Sequence, residues 1–252
     1  MTMTKVKTAA EIKAMRVSGK MLATILQILK SRTEPGVTTK ELADIAAREL
    51  KALGGQPTFL GYSGFPDVAC ISVNDEVVHG IPRTDKIIES GDIVSIDFGV
   101  TYNGMVTDAA LSTIAGKPKQ KNHIELVRYT EESMLAGIAA VHDRVRTGDI
   151  GASVEKVLAA HRYGIVRDLV GHGVGHEMHE DPNIPNYGRP NTGPWLDKGM
   201  TIAIEPMATL GTERVYVEDD GWTIRTQDGS WAAHFENTVL ITEDGAEILT
   251  QV

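Results

Sequence analysis

Two aspartates, Asp97 and Asp108, stand eleven positions apart on either side of Asn103-Gly104. Residues 92–101 are largely β-branched and apolar, Asn-Gly is the strongest short signal for a two-residue hairpin turn, and a second strand follows from Met105. With that turn, Thr101 faces Val106, Gly99 faces Asp108 and Asp97 faces Ala110, so the two aspartates become diagonal neighbours on one face. Buried side by side they repel, and one takes up a proton unless a cation sits between them. On the hairpin alone, a solvated strand residue and a turn residue account for them equally well.

Three further residues join them. His172 lies in Gly-His-Gly-Val-Gly-His, Glu205 in Ile-Ala-Ile-Glu-Pro and Glu236 in Ala-His-Phe-Glu-Asn-Thr. Both glutamates interrupt strand-like apolar sequence, where an unpaired charge is costly, so a functional reading is favoured for each. Four carboxylates and one imidazole form a hard, oxygen-rich donor set suited to Mn, Fe, Co or Zn. One zinc ion needs only three or four such ligands, so five point to a two-metal site. The run His172, His176, His179 has the wrong spacing for a helical HExxH zinc site. His176 is expected outside the metal shell or at the surface, and His123, His142, His161 and His234 show no partner pattern and are read as core or surface residues. Cys70 has no adjacent nucleophile motif and reads as a buried apolar thiol.

The elements that must position these residues form an α+β pattern. Ile12, Met15, Leu22, Leu26 and Leu29 give helical periodicity over 10–31, broken near Glu34-Pro35-Gly36. Thr38 and Glu41 form a capping-box pattern for a second helix that ends at Gly54-Gly55. A short strand is expected through Cys70, Ile71 and Val73, with His79-Gly80-Ile81-Pro82 in the turn-rich stretch after it. Helices over 121–142 and about 150–161 follow. Gly171 to His179 is too glycine-rich for a helix interior and reads as a strand running into a loop. The remainder is expected to be β-rich over 200–208, 213–217, 222–226 and 233–248.

An internal echo runs through this pattern. Gly91-Asp92-Ile93-Val94-Ser95-Ile96-Asp97 lines up with Gly199-Met200-Thr201-Ile202-Ala203-Ile204-Glu205 at an offset of 108, and Gly36-Val37-Thr38 with Gly148-Asp149-Ile150 at an offset of 112. One domain over residues 1–252 is expected, its repeated halves spanning about 10–115 and 121–250 and placing Asp97 and Glu205 about a pseudo-twofold axis.

Composition narrows the partners. The chain has 252 residues, 42% hydrophobic and 23% charged, ordinary for a soluble globular protein and long enough to bury a full core. A formal net charge of −9 and the lack of a Lys/Arg cluster argue against nucleic-acid binding. No apolar run is long enough to cross a bilayer, and the N-terminal segment lacks a signal-peptide pattern. With one cysteine no internal disulfide can form, which fits a reducing cytoplasm.

Asp97 and Asp108, Gly-His-Gly-Val-Gly-His around His172, Ile-Glu-Pro at Glu205 and Phe-Glu-Asn-Thr at Glu236, taken in order, resemble the pita-bread metallopeptidases. His79-Gly80-Ile81-Pro82 and the lack of a separate N-terminal domain narrow the resemblance to type I methionine aminopeptidases, over about Ile12 to Ile248. The resemblance implies a curved antiparallel sheet covered by helices and an activity that removes the initiator methionine from nascent proteins with a small second residue. It implies two divalent ions, with His172 and Glu205 binding one, Asp97 the other, and Asp108 and Glu236 bridging, and a bridging water or hydroxide as nucleophile. Glu205 would then relay the proton, His179 would contact the scissile carbonyl and His79 the substrate near its N-terminal end. A methionine pocket would be lined by Phe59, Tyr62, Phe65, Cys70, Met178 and Trp222. Many bacterial relatives carry cysteine, tyrosine and phenylalanine in place of Phe59, Phe65 and Met178, which puts the pocket's shape in question. The resemblance favours a monomer, and an enzyme of nascent chains would meet the ribosome transiently. A prolidase or proline aminopeptidase of the same fold, or a relative that binds without catalysis, are the other readings.

Overall fold

Asn103 and Gly104 both take positive φ, 49° and 75°, the paired left-handed turn that joins two right-twisted strands without splaying them. The hairpin it closes is the centre of the computed structural model, which describes residues 2–252. In chain order the elements are α1 (Ala9–Arg32), α2 (Thr39–Leu53), β1 (Gln56–Pro57), a 3-10 turn at Tyr62–Gly64, β2 (Cys70–Val73), β3 (Glu76–Val78), β4 (Ile93–Tyr102) and β5 (Met105–Ile114). The second part has α3 (Lys121–Ala139), β6 (Val145–Arg146), α4 (Thr147–Ala160), β7 (Gly164–Ile165), β8 (Gly171–Gly173), β9 (Glu180–Ile184) and β10 (Trp195–Leu196). It closes with β11 (Thr201–Ile204), β12 (Met207–Thr209), β13 (Val215–Val217), β14 (Ile224–Thr226), β15 (Ala232–His234), β16 (Glu236–Ile241) and β17 (Ala246–Ile248).

The main sheet is antiparallel and runs β1-β4-β5-β16-β11-β8-β9, with β2 also on β4 and β17 on β16. Strand alternation divides its faces. Ile96, Phe98, Val100, Ala109 and Leu111 enter a core with Leu22, Leu26 and Leu29 of α1 and Leu42 and Leu50 of α2. Asp97 and Asp108 alternate with those positions and therefore point away from the helices. The same core takes in Met134 and Ile138 of α3, Val154 and Leu158 of α4, and Ile202, Ile204 and Val239, so one apolar cluster joins both parts of the chain.

The ends of the elements show local logic. Thr38 accepts from Glu41 N while Glu41 reaches back to Thr38 N, and Gly54 closes α2 in the left-handed conformation. Thr8 and Glu11 build the same box at α1. Some boundaries differ from the sequence pattern. Helix α3 stops at Ala139, three residues short of 142, and Val141 stays buried in the connection. Helix α4 starts at Thr147 rather than Ile150, with Asp149 reaching back to Arg146 N. The helix echo is therefore one turn out of register: Val37, Thr39 and Glu41 match Val145, Thr147 and Asp149, at the same offset of 108 as the strands. The segments 200–208 and 233–248 are each interrupted, the first at Glu205-Pro206 and the second at Phe235 and again over 242–245. Those first two breaks help build the site.

Candidate metal centre

The β4–β5 register places Asp97 opposite Ala110 and Gly99 opposite Asp108, as the turn chemistry requires. Strand β16 then sets Glu236 opposite the other side of Ala110, so the small Ala110 separates two carboxylates in one cross-strand row. Cys70 lies beyond Asp97 in the same row. Gly99 leaves room on this face for Phe59, whose Cε1 lies 2.7 Å from where a Cβ would stand.

Glu205 arrives by a different device. Ile204 of β11 pairs with Asn237, and Met207 of β12 pairs with His234. Between those pairs both chains leave their strands, at Glu205-Pro206 on one side and at Phe235 on the other. The breaks coincide, and Glu205 is turned toward Glu236 and His234. His172 approaches from β8. Its Nε2 lies 3.4 Å from Glu205 Oε1, and its Nδ1 donates to Gly173 O at 2.8 Å, which leaves the Nε2 lone pair facing the carboxylates.

The electrostatics are those of a site built for cations. Burial, then Asp108 and Glu205, push the Asp97 carboxyl far up, and burial raises Asp108 to about 7. Glu205 and Glu236 are raised by burial and by Asp108. Burial drives His172 down to about 3, so the imidazole is a neutral donor. Asp97 Oδ1, Asp108 Oδ1 and Glu236 Oε1 are buried without a hydrogen-bond donor among the described residues. Orphaned carboxylate oxygens of this kind are strongly disfavoured unless positive charge meets them. Two trios hold ligand atoms within 4.8 Å of one another: Asp108–His172–Glu236 and Glu205–His234–Glu236. The donor set thus fits divalent cations.

A cavity of about 550 Å³ opens over the carboxylates, and its wall contains every residue the sequence reading assigned to metal, catalysis or substrate. One side is acidic and the other apolar. Phe65 meets Phe59 and Trp222 edge-on, with ring centroids 6.5 and 5.2 Å apart, and Cys70 and Met178 pack in the same cluster. Tyr62 stands at the rim, where its hydroxyl pairs with His179 Nδ1 at 2.8 Å, and the His172 and His179 rings are 4.4 Å apart. His79 holds a left-handed φ of 60° and is lowered to about 4 by burial and by His179. Such strain in a non-glycine residue at a cavity wall is a mark of function.

The profile of Metallopeptidase family M24 matches residues 12–243. The chain belongs to metallopeptidase family M24. Among M24 relatives it is 44% identical to a methionine aminopeptidase of Clostridium acetobutylicum over 245 residues, 97% of this chain and 98% of that protein. The crystal structure of methionine aminopeptidase from Thermotoga maritima superposes with a TM-score of 0.97 at 45% identity, covering 99% of this chain and 100% of that one. A prolidase from Pyrococcus furiosus superposes at 0.79 with 25% identity, covering 98% of this chain and 65% of that one. The architecture is the pita-bread fold, and M24 chemistry is metal-dependent.

Most other histidines of this M24 chain stand where the sequence left them. His176 bonds Glu11 near the surface, His123 packs at a tilt against Trp231, His161 stacks on Tyr129, and His142 bonds the Asp143 carbonyl. His234 does not. It is 1% exposed, and its Nε2 lies 3.7 Å from Glu205 Oε2. In the sequence His234 and Glu236 stand two residues apart, the spacing of neighbours on one strand face, although the chain leaves its strand at Phe235 between them.

Proposed function

We propose that this chain is a methionine aminopeptidase, which removes the initiator methionine from polypeptides whose second residue is small. The observation that carries the reading is the single cavity in which a buried acidic wall meets a soft, apolar one. Phe59, Phe65, Cys70, Met178 and Trp222 surround a thioether side chain with polarisable groups. Phe59 and Phe65 supply the bulk that fixes the pocket's depth.

Asp97, Asp108, His172, Glu205 and Glu236 would hold the two divalent cations. Cations bound there lower the pKa of a water and polarise the scissile carbonyl. Glu205, turned into the centre by the break at Pro206, accepts the water's proton and delivers it to the leaving amine. His179 is kept neutral by burial. Tyr62 Oη lies 2.8 Å from His179 Nδ1; with the phenol as donor of that contact, Nε2 would carry the proton toward the carbonyl oxygen, where negative charge develops. His79, neutral and held rigidly by its backbone, receives the N-terminal end of the substrate. The two echoing halves form one catalytic domain, with Asp97 on β4 of the first matched by Glu205 just after β11 of the second.

The partner is the N-terminus of a polypeptide. No helix among the described residues is long and apolar enough to cross a membrane. A cytoplasmic monomer that meets the ribosome only in passing suits an acidic chain without a basic patch. The test strips the protein of metal, adds back Co, Mn or Fe, and offers Met-Ala-Ser, Met-Lys-Ser and Ala-Pro peptides. Metal-dependent release of methionine from the first alone is the expected result. Cleavage of Ala-Pro instead would make the chain a proline peptidase.

A further inference from the structure

His234 is the one histidine beside the acidic centre that the reading above leaves without a task. It is 1% exposed, and neither ring nitrogen has a hydrogen-bond partner among the described residues. The 3.7 Å from Nε2 to Glu205 Oε2 is too long for a hydrogen bond, so the pair is a close approach and not a bond. His172 makes the matching approach to the other oxygen, 3.4 Å from Oε1. Glu205 is thus flanked by two buried imidazole Nε2 atoms, one at each oxygen. A ring nitrogen of His234 also lies within 4.8 Å of ligand oxygens of both Glu205 and Glu236. The coincident breaks at Pro206 and Phe235 enforce this geometry, since Met207 and His234 are cross-strand partners.

We propose that His234 is a sixth metal ligand: with Glu205 and Glu236 it holds a divalent cation through Nε2, so the centre has an imidazole on each side of Glu205. The proposal rests on the metal-dependent reading of the site. Chemically it matters because a neutral nitrogen donor adds affinity without adding charge. A second imidazole beside His172 at the cation that Glu205 holds shifts preference further toward Zn, Co and Fe and away from Mn and Mg. His234 would then set which cation the centre selects.

The test needs no loaded-enzyme assay. Metal-free protein with ¹⁵N-labelled histidine rings is titrated with Zn²⁺ and followed by long-range ¹H–¹⁵N correlation, with His234→Gln used for assignment. The Nε2 resonances of both His172 and His234 should move on saturation, while those of His123, His142 and His161 stay. Movement of His172 alone overturns the proposal and leaves the metal reading standing; movement of neither overturns both. Calorimetry adds an independent arm. His234→Gln should weaken Zn²⁺ and Co²⁺ binding at one site by at least about tenfold, and Mn²⁺ binding by less. A folded variant, checked by its metal-free melting curve, with unchanged Zn²⁺ and Co²⁺ isotherms refutes the role.

Discussion

Tyr62 Oη bonds His179 Nδ1 at 2.8 Å, joining the rim of the apolar pocket to the histidine that faces the carboxylates. The contact holds the ring's direction, and a phenol donating to Nδ1 would set its tautomer as well. Tyr62→Phe keeps the ring's bulk and removes only the donor, so kcat should fall about tenfold with KM nearly unchanged, in line with other groups that orient a functional histidine. His179→Ala, which removes the group proposed to meet the oxyanion, should cost at least about a hundredfold. Steady-state kinetics on Met-Ala-Ser decide the matter, and a Tyr62→Phe enzyme with raised KM and full kcat would place Tyr62 in binding alone.

Four buried carboxylates destabilise the metal-free protein while preparing it for cations. Asp97→Asn removes, at constant shape, a carboxyl that burial and its acidic neighbours push far up, so that folding it at neutral pH costs free energy. Without metal this variant should melt about 2–4 °C above the native chain, the shift that about 1 kcal/mol gives in a chain of this size. With saturating Mn²⁺ the order should reverse, because the native protein gains the full binding free energy and the variant loses a ligand. Turnover should be abolished in Asp97→Asn and in Asp97→Ala alike. Melting curves with and without metal, beside an activity assay, test the pair of claims, which fail if the variant responds to Mn²⁺ as the native protein does.

How far the sequence could be read depends on how local each determinant is. Asp97, Asp108 and their diagonal relation were legible because a two-residue turn and a two-residue side-chain period fix the register without help from elsewhere. The start of α2 was legible because Thr38 and Glu41 satisfy each other's backbone within one turn. The start of α4 was obscured because Arg146 stands at the cap and Gly148 inside the first turn, where Arg189 and Thr192 crowd it. Glu205's approach to His234 was beyond reach. It requires that breaks at Pro206 and Phe235 fall at the same level in strands some thirty residues apart, and nothing local encodes that coincidence.

Lys7 and Glu180 form a buried ion pair, 3.1 Å apart, with side chains 0% and 2% exposed. Glu180 also accepts from His176 N and Glu177 N, so the pair ties the N-terminal arm to the loop bearing Met178 and His179. Lys7→Met leaves a buried carboxylate without its cation, held only by backbone N–H groups and the Thr4 hydroxyl, and should cost about 3 kcal/mol of stability. The double variant Lys7→Met/Glu180→Gln should recover part of that loss, since no unpaired charge remains. Urea denaturation of the four proteins in a double-mutant cycle reads the coupling; additive losses would show that the two side chains act separately.

Glu11 carries the clearest acid-sensitive contribution outside the metal centre. The backbone N–H of Thr8 donates to its carboxylate, His176 and the Thr8 hydroxyl add to this, and together they lower Glu11 to about 2 from 4.5. A carboxylate depressed in the folded state stabilises the protein above its unfolded pKa, and that contribution fades as pH falls through the folded one. The window therefore runs from 4.5 down to about 2. Glu11→Gln keeps an acceptor for the α1 cap and discards the charge, so at pH 7 it should cost no more than about 1 kcal/mol, the usual range for a helix cap. Below pH 3 the difference between the two proteins should shrink toward zero, because the native Glu11 is then losing its charge as well. Urea midpoints measured from pH 7 to pH 2 on both proteins give that difference directly, and a gap that stays constant across the range would mean that the Glu11 charge contributes nothing to the fold.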